Sequence, residues 1–107
     1  LYVAQSDPAR PIWMAFNLTA DHRLTGGREI GNAKKNMDEY PGLPDGMAVH
    51  ASGAVFGSGP GGIYVMSPEG KLLGRIVTGG RTSNCTFDDG FRTLYITADD
   101  KICRLKL

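Results

Sequence analysis

The sequence contains few residues of the kinds that build metal clusters or disulfide frameworks. Only two cysteines and two histidines occur among 107 residues, and Cys85 and Cys103 do not form a CxxC spacing. Two cysteines are too few for a disulfide scaffold, so two free, buried thiols are expected. His22 and His50 each lie in a polar, turn-like stretch, and a solvated position is expected for both.

Neither sign of charge dominates, and no apolar run is long. Twelve Lys+Arg against 11 Asp+Glu give a formal net charge of +1, whereas a nucleic-acid surface needs a clear basic excess. The longest apolar run, Ile12 to Phe16, is far shorter than the roughly 20 residues of a membrane-spanning helix. The sequence therefore predicts one domain with no nucleic-acid partner and no membrane partner. It leaves the compartment open between cytoplasm and periplasm.

Turn-forming residues are abundant instead. The chain has 15 glycines and 6 prolines, and no segment keeps a helical period of apolar residues. Short apolar runs alternate with turn clusters, which predicts an all-β fold. The expected strands are 1–4, 12–18, 28–34, 47–49, 54–57, 63–66, 71–77, 84–87, 94–97 and 102–107. The segments 34–40 and 58–62 are expected to be a loop and a turn cluster.

The strands recur as a unit. Leu1–Ala4, Val55–Ser58 and Leu94–Thr97 occupy the same place in three successive units, and each leads through a turn to a second strand. Asp45 and Ser83 lie 38 positions apart, and Val55 and Leu94 lie 39 apart. A four-strand unit that recurs near 40 residues is typical of β-propeller blades. A sandwich with coincidental spacing is the alternative.

The strand count predicts about two and a half blades. Residues 1–34 would form a blade without its first strand, 44–79 a complete blade, and 82–107 a last blade without its outer strand. Propellers usually close with about four to eight blades. We therefore expect either a fragment of a longer protein or a chain that assembles with copies of itself. The start in mid-strand, without an initiator Met, favours a fragment.

The motifs resemble those of a known family. The segments that carry the resemblance are Leu1–Ala4, Pro44–Val49, Ser52-Gly53, Gly61–Val65, Pro68–Ile76, Thr82–Phe87 and Arg92–Ala98. Together they are similar to the C-terminal part of the gluconolactonase, senescence-marker-protein-30 and luciferin-regenerating-enzyme family. The resemblance implies a six-bladed propeller that hydrolyses sugar lactones and holds a divalent cation on its axis. Calcium is the expected ion, with Zn²⁺, Mg²⁺ and Mn²⁺ as alternatives.

Asp45 has two interpretations. Pro44-Asp45-Gly46 is a turn signature, because aspartate bonds its own backbone and glycine tolerates unusual backbone angles. Asp45 would also head the first strand of a blade, and such strands line the central channel. Gly46 beside it would permit close backbone packing near the axis. The resemblance maps the family's Pro-Asp-Gly metal ligand onto Asp45, and we expect the same carboxylate to act as the catalytic residue that accepts a proton from the attacking water. It places the other two ligands, an Asn and a Glu, upstream of Leu1.

Ser83 is the counterpart of Asp45 in the next blade. Ser83 and Asn84 are therefore candidates for substrate binding, with local cap or turn bonding as the alternative. The aromatic side chains are expected in the core between blades: Trp13, Phe56, Tyr64, Phe87 and Tyr95. Asp88-Asp89 and Asp99-Asp100 are interpreted as solvated hairpin tips, because paired catalytic carboxylates need burial to raise a pKa.

Two functions remain in view. The first is metal-dependent hydrolysis of a small-molecule lactone by a complete propeller, with Asp45 contributed by this chain. The isolated chain would then be inactive. The second is a non-catalytic module that self-associates through its open blade edges.

Overall fold

A computed structural model describes all 107 residues and contains three antiparallel sheets. Their strands follow the chain as β1 (Tyr2–Gln5), β2 (Ile12–Leu18) and β3 (Leu24–Asn32); β4 (Met47–Val49), β5 (Val55–Gly59), β6 (Gly62–Met66) and β7 (Leu72–Val77); and β8 (Thr82–Phe87), β9 (Thr93–Ala98) and β10 (Lys101–Lys106). Each strand pairs with its neighbour in sequence. The one helical element is a 3₁₀ turn, Lys34–Asn36, so no helix is long and apolar enough to cross a bilayer.

The two central strands of the middle sheet, β5 and β6, are buried on both faces because side chains alternate along them. In β5, Val55 packs towards the first sheet while Phe56 packs towards the third. In β6, Tyr64 and Ile63 divide between the same two cores. This is the two-residue period of a pleated strand, read on both of its faces. Each outer sheet keeps one open face.

Two apolar clusters join the sheets. The core between the first and second sheets consists of Trp13, Ala15, Ile30, Ala33, Val55, Tyr64 and Met66. The core between the second and third sheets consists of Phe56, Ile63, Cys85, Leu94 and Ile96. Burial of the large aliphatic and phenylalanine side chains is worth about 1.5–3 kcal/mol each, so the contacts between sheets contribute much of the stability.

The predicted strand at 28–34 is wrong in its bounds. β3 begins earlier, at Leu24, and ends at Asn32, and its register against β2 shifts twice. Gly26 has φ +61°, and a Cβ on Gly27 would lie 2.5 Å from the ring of Phe16. A glycine pair inside a strand is typical of a bulge. The bulge lets the strand continue where the sequence suggested a break.

The predicted turn cluster at 58–62 is also corrected. Ser58 and Gly59 belong to β5 and Gly62 to β6, so the turn consists of Pro60 and Gly61 only. All five residues are buried. The turn is buried because neighbouring side chains pack against it: a Cβ on Gly61 would lie 2.4 Å from the Tyr40 ring. The predicted loop 34–40 holds the 3₁₀ turn and supplies that ring.

Most of the predicted aromatic core is confirmed. Trp13, Phe56 and Tyr64 are buried, and Phe87 packs against the second core while half-buried. Tyr95 was expected there but is 38% exposed. Its neighbours Leu94 and Ile96 point into the core, so strand alternation turns Tyr95 to the open face.

The solvated position expected for His50 is only partly correct, because this side chain is half-buried. Its ring lies 5.2 Å from that of Phe87 and 5.5 Å from that of Phe91. Nδ1 accepts a hydrogen bond from the Ser52 backbone N–H at 3.1 Å, and Nε2 lies 3.1 Å from the Phe91 carbonyl. His50 therefore links the β4–β5 and β8–β9 hairpins, whereas His22 is exposed as expected. Both cysteines are free, but Cys103 is only half-buried, so the expectation of burial holds for Cys85 alone.

Candidate functional site

A cleft of about 400 Å³ lies where segments of all three sheets meet. The first sheet contributes Ser6, directly after β1. The second contributes Asp45, two residues before β4, and the third contributes Arg81 and Ser83 at the start of β8. Gly42, Leu43, Pro44 and Thr82 complete its lining. The end of β1 and the starts of β4 and β8, which are far apart in sequence, therefore meet at this cleft.

Backbone hydrogen bonds hold Asp45 at this position. Its N–H donates to the Ser58 carbonyl at 3.0 Å, and the Gly46 N–H donates to the Ser83 carbonyl at 2.8 Å. The Ser6 hydroxyl donates to the Pro44 carbonyl. These bonds connect the residues around Asp45 to all three sheets. The location of the carboxylate is consequently set by the assembly of the sheets and not by a local turn alone.

Gly46 confirms the expected close approach. A Cβ at this position would lie 2.2 Å from Asn84 Oδ1 and 2.8 Å from the Ser83 carbonyl oxygen. The backbone of the second sheet thus passes directly against the third. No side chain fits between them.

We predict that Gly46→Ala destabilises the protein by about 1–3 kcal/mol, as overpacking of a close contact does. Thermal unfolding measures the effect. Gly74→Ala is the matched control, because a Cβ on Gly74 meets nothing within 4 Å. Equal melting temperatures for Gly46→Ala and Gly74→Ala would contradict this account of the contact.

The predicted site residues separate into two places. Asp45 and Ser83 line the same cleft. Asn84 packs over Gly46, and its Oδ1 accepts the Cys85 N–H at 2.9 Å. Asn84 does not line the Asp45 cleft and instead lines a smaller cavity formed by residues of β8, β9 and β10. Ser83 Oγ lies 2.9 Å from Thr97 Oγ1, so both predicted substrate-binding side chains also have local hydrogen-bond partners.

The donor set at the cleft is partial for a divalent cation. The Asp45 carboxylate is exposed and takes part in neither of the two ion pairs of the chain, Arg23–Asp21 and Lys101–Asp100. The hydroxyls of Ser6 and Ser83 are the nearby neutral oxygens. No group of three His, Cys, Asp or Glu side chains comes together anywhere in the chain. Since Ca²⁺ takes about six to eight oxygen ligands, Asp45 fits as one ligand but these residues alone do not complete a site.

The acidic tips have structural roles. Asp88 Oδ1 accepts the N–H groups of Thr93 at 3.0 Å and Arg92 at 2.8 Å. These bonds lower the pKa of Asp88, which is the opposite of what a protonated catalytic acid needs. Burial raises the pKa of Cys85 to about 11, so this thiol is not a nucleophile at neutral pH.

Arg81 and Ser6 were missed by the sequence analysis. Arg81 stands two positions before Ser83, at the head of a first strand, which is the same kind of position that singled out Asp45. That placement was the available signal. Ser6 offered none, because only the fold brings the end of β1 to the start of β4.

Comparison with known proteins places the chain in a family. The model of the SMP-30/Gluconolactonase/LRE-like region matches residues 1–100. The chain belongs to this family. A gluconolactonase of Zymomonas mobilis is 36% identical over 110 residues, which cover 99% of the chain but 31% of that protein.

Solved structures of the family agree with the fold. A gluconolactonase of Xanthomonas campestris superposes with a TM-score of 0.83 at 34% identity, over 99% of this chain and 33% of that one. A luciferin-regenerating enzyme superposes with a TM-score of 0.73 at 19% identity, over 91% of this chain and 33% of that one. The predicted all-β partial propeller is confirmed. The chain spans about a third of the length of these relatives.

Proposed function

We propose that this chain is part of an enzyme that hydrolyses lactones, and that the complete protein carries further propeller blades. The observation that carries the proposal is the placement of Asp45, in a gluconolactonase-family chain, at a cleft built from all three sheets. The two gluconolactonases that resemble the chain over nearly its whole length support the substrate class.

The reaction requires water to attack the lactone carbonyl carbon. A new carbon–oxygen bond forms, the ring ester bond breaks, and the proton lost by water passes to the released alkoxide to give a hydroxy acid. The exposed Asp45 carboxylate is suited to accept the proton from the attacking water, since carboxylates act as general bases. A divalent cation held by Asp45 together with ligands from outside this chain, Ca²⁺ before Zn²⁺, Mg²⁺ or Mn²⁺, would supply Lewis-acid polarisation of the carbonyl.

The test is hydrolysis of gluconolactone by the complete protein that contains this chain. Acid release should exceed spontaneous hydrolysis, fall on treatment with a chelator, and return when Ca²⁺ is added back. Turnover that survives exhaustive chelation would contradict the metal requirement. The absence of any turnover with each of the four metals would contradict the lactonase proposal itself.

A self-associating module without catalysis is the second candidate. The open faces and edges of the outer sheets favour it, because they expose large apolar side chains: Ile102 is 79% exposed and Leu1 59%. Exposed strand edges are also templates for pairing with another chain. Mass in solution together with the melting temperature with and without Ca²⁺ distinguishes the two candidates. An oligomer whose melting is insensitive to metal supports the module, and stabilisation by metal supports the enzyme.

A further inference from the structure

The backbone of Arg81 is fixed at the same cleft as Asp45. The Arg81 N–H donates to Asp99 Oδ2 at 3.1 Å, and the Asp99 N–H donates to the Arg81 carbonyl at 2.8 Å. Asp99 adopts a left-handed φ of +49°. Non-glycine residues adopt such angles rarely and at a cost. The reciprocal pair of bonds accounts for this conformation and anchors the start of β8.

Gly80 adds to this arrangement. A Cβ on Gly80 would lie 2.1 Å from Asp99 Oδ2. The Asp99 carboxylate therefore sits against the backbone directly before Arg81 and is occupied by a backbone N–H. It is used to hold the segment in place. Neither ion pair of the chain includes Arg81.

The cleft thus has one basic residue and one acidic residue. Arg81 is exposed and Asp45 is exposed, and both line the same space of about 400 Å³. A guanidinium group presents a planar fork of donors that matches carboxylate and phosphate groups. A neutral sugar lactone offers only hydroxyl, ring and carbonyl oxygens, for which a fixed positive charge is not required.

We infer that Arg81 selects lactones that carry an anionic group, a carboxylate or a phosphate, apart from the reacting ester. The inference rests on the proposed function, since it names the class of substrate for that cleft. Asp45 lies at the reacting carbonyl, and Arg81 lies at the charged substituent of the same molecule.

The experiment compares three lactones on the complete protein: gluconolactone, its derivative phosphorylated on the terminal hydroxyl, and glucarolactone with its free carboxylate. The wild-type protein should show a higher kcat/KM for one or both anionic lactones than for gluconolactone. In Arg81→Gln the ratio of anionic to neutral kcat/KM should fall by roughly 10- to 100-fold, as expected for a lost charge-assisted hydrogen-bond pair. The same ratio in Arg81→Lys should lie between those of the wild type and Arg81→Gln. Arg104→Gln, which removes an exposed arginine on β10, should keep the wild-type ratio.

A binding measurement keeps the inference separate from catalysis. Calorimetric titration with inorganic phosphate and with gluconate should show weaker binding of phosphate in Arg81→Gln than in Arg104→Gln. If no lactone is hydrolysed, the proposed function fails and the phosphate titration alone decides whether Arg81 holds an anion. A wild-type protein without preference for anionic lactones would overturn the inference. The inference would also be overturned if Arg81→Gln kept the wild-type ratio of anionic to neutral kcat/KM but bound gluconate more weakly. That result would assign Arg81 to the carboxylate of the product.

Discussion

Asp45→Asn in the complete protein is expected to lower lactone turnover by roughly 10²- to 10⁴-fold, the range for loss of a positioned general base. Asparagine keeps the size of the side chain and its ability to bond in a turn. The backbone bonds from Asp45 to Ser58 and from Gly46 to Ser83 do not involve the carboxylate. The fold should therefore persist. Initial rates of acid release, with the melting temperature measured in parallel, check both parts of the prediction.

Asp89→Asn is the matched control for this experiment. Asp89 is also exposed, and the substitution removes the same charge, but Asp89 belongs to the β8–β9 hairpin and does not line the Asp45 cleft. Its turnover should match the wild type. If Asp45→Asn is as active as Asp89→Asn, Asp45 is only a turn residue and the catalytic role is lost.

Trp13→Ala is expected to destabilise the fold by about 3–5 kcal/mol, as large aromatic truncations in cores do. Trp13 is fully buried, and its ring centroid lies 4.8 Å from that of Tyr64. Cβ atoms on Gly31, Gly57 and Gly59 would each lie 2.6–3.0 Å from an indole atom of Trp13. The indole therefore occupies the space that these three glycines leave open. Glycines cannot extend to refill the cavity. Since small domains have only about 5–15 kcal/mol of stability, the loss should be evident in chemical denaturation.

Trp13→Phe separates volume from polarity. The indole Nε1 of Trp13 is buried without a hydrogen-bond partner. An unsatisfied buried donor costs about 1–3 kcal/mol, and phenylalanine removes that donor while it keeps much of the ring. We expect Trp13→Phe to lose less than half of the free energy of unfolding that Trp13→Ala loses. Equal losses would mean that the donor is satisfied in solution.

Local pattern was sufficient for much of the fold. β2 and β4 have the predicted bounds, since 12–18 is a continuous apolar-rich run and 47–49 lies between two turn signals. The close approach at Gly46 was also predictable. Glycine in a strand is typical of a close backbone approach, and Gly46 does not adopt the positive φ that the turn interpretation would use.

Other elements depended on contacts that the sequence does not display. β3 continues through Gly26 and Gly27 because the ring of Phe16 on β2 fills the space beside the bulge. His50 looked solvated because the Ser52-Gly53 turn follows it, whereas Phe87 and Phe91, which contact its ring, lie about 40 positions further along the chain. Tyr95 looked apolar enough for the core, but strand alternation gave the inward positions to Leu94 and Ile96.

The repeated unit in the sequence was sufficient to predict part of the candidate site. Asp45 and Ser83 occupy equivalent places in the repeated unit, and the structure brings both to one cleft. Their roles, and that of Asn84, remain predictions. Arg81 was not recognised, although it stands directly before a first strand, because the repeat makes Ser83 the counterpart of Asp45. Its importance becomes visible only through Asp99, which is 18 positions away in sequence.

The bond from the Gly46 N–H to the Ser83 carbonyl has a mechanical consequence. It connects the start of β4 to the start of β8, one residue away from Asp45. Breathing motions that part these two sheets must first break it. Separation of the two sheets would therefore displace the backbone next to Asp45 and change the position of its carboxylate.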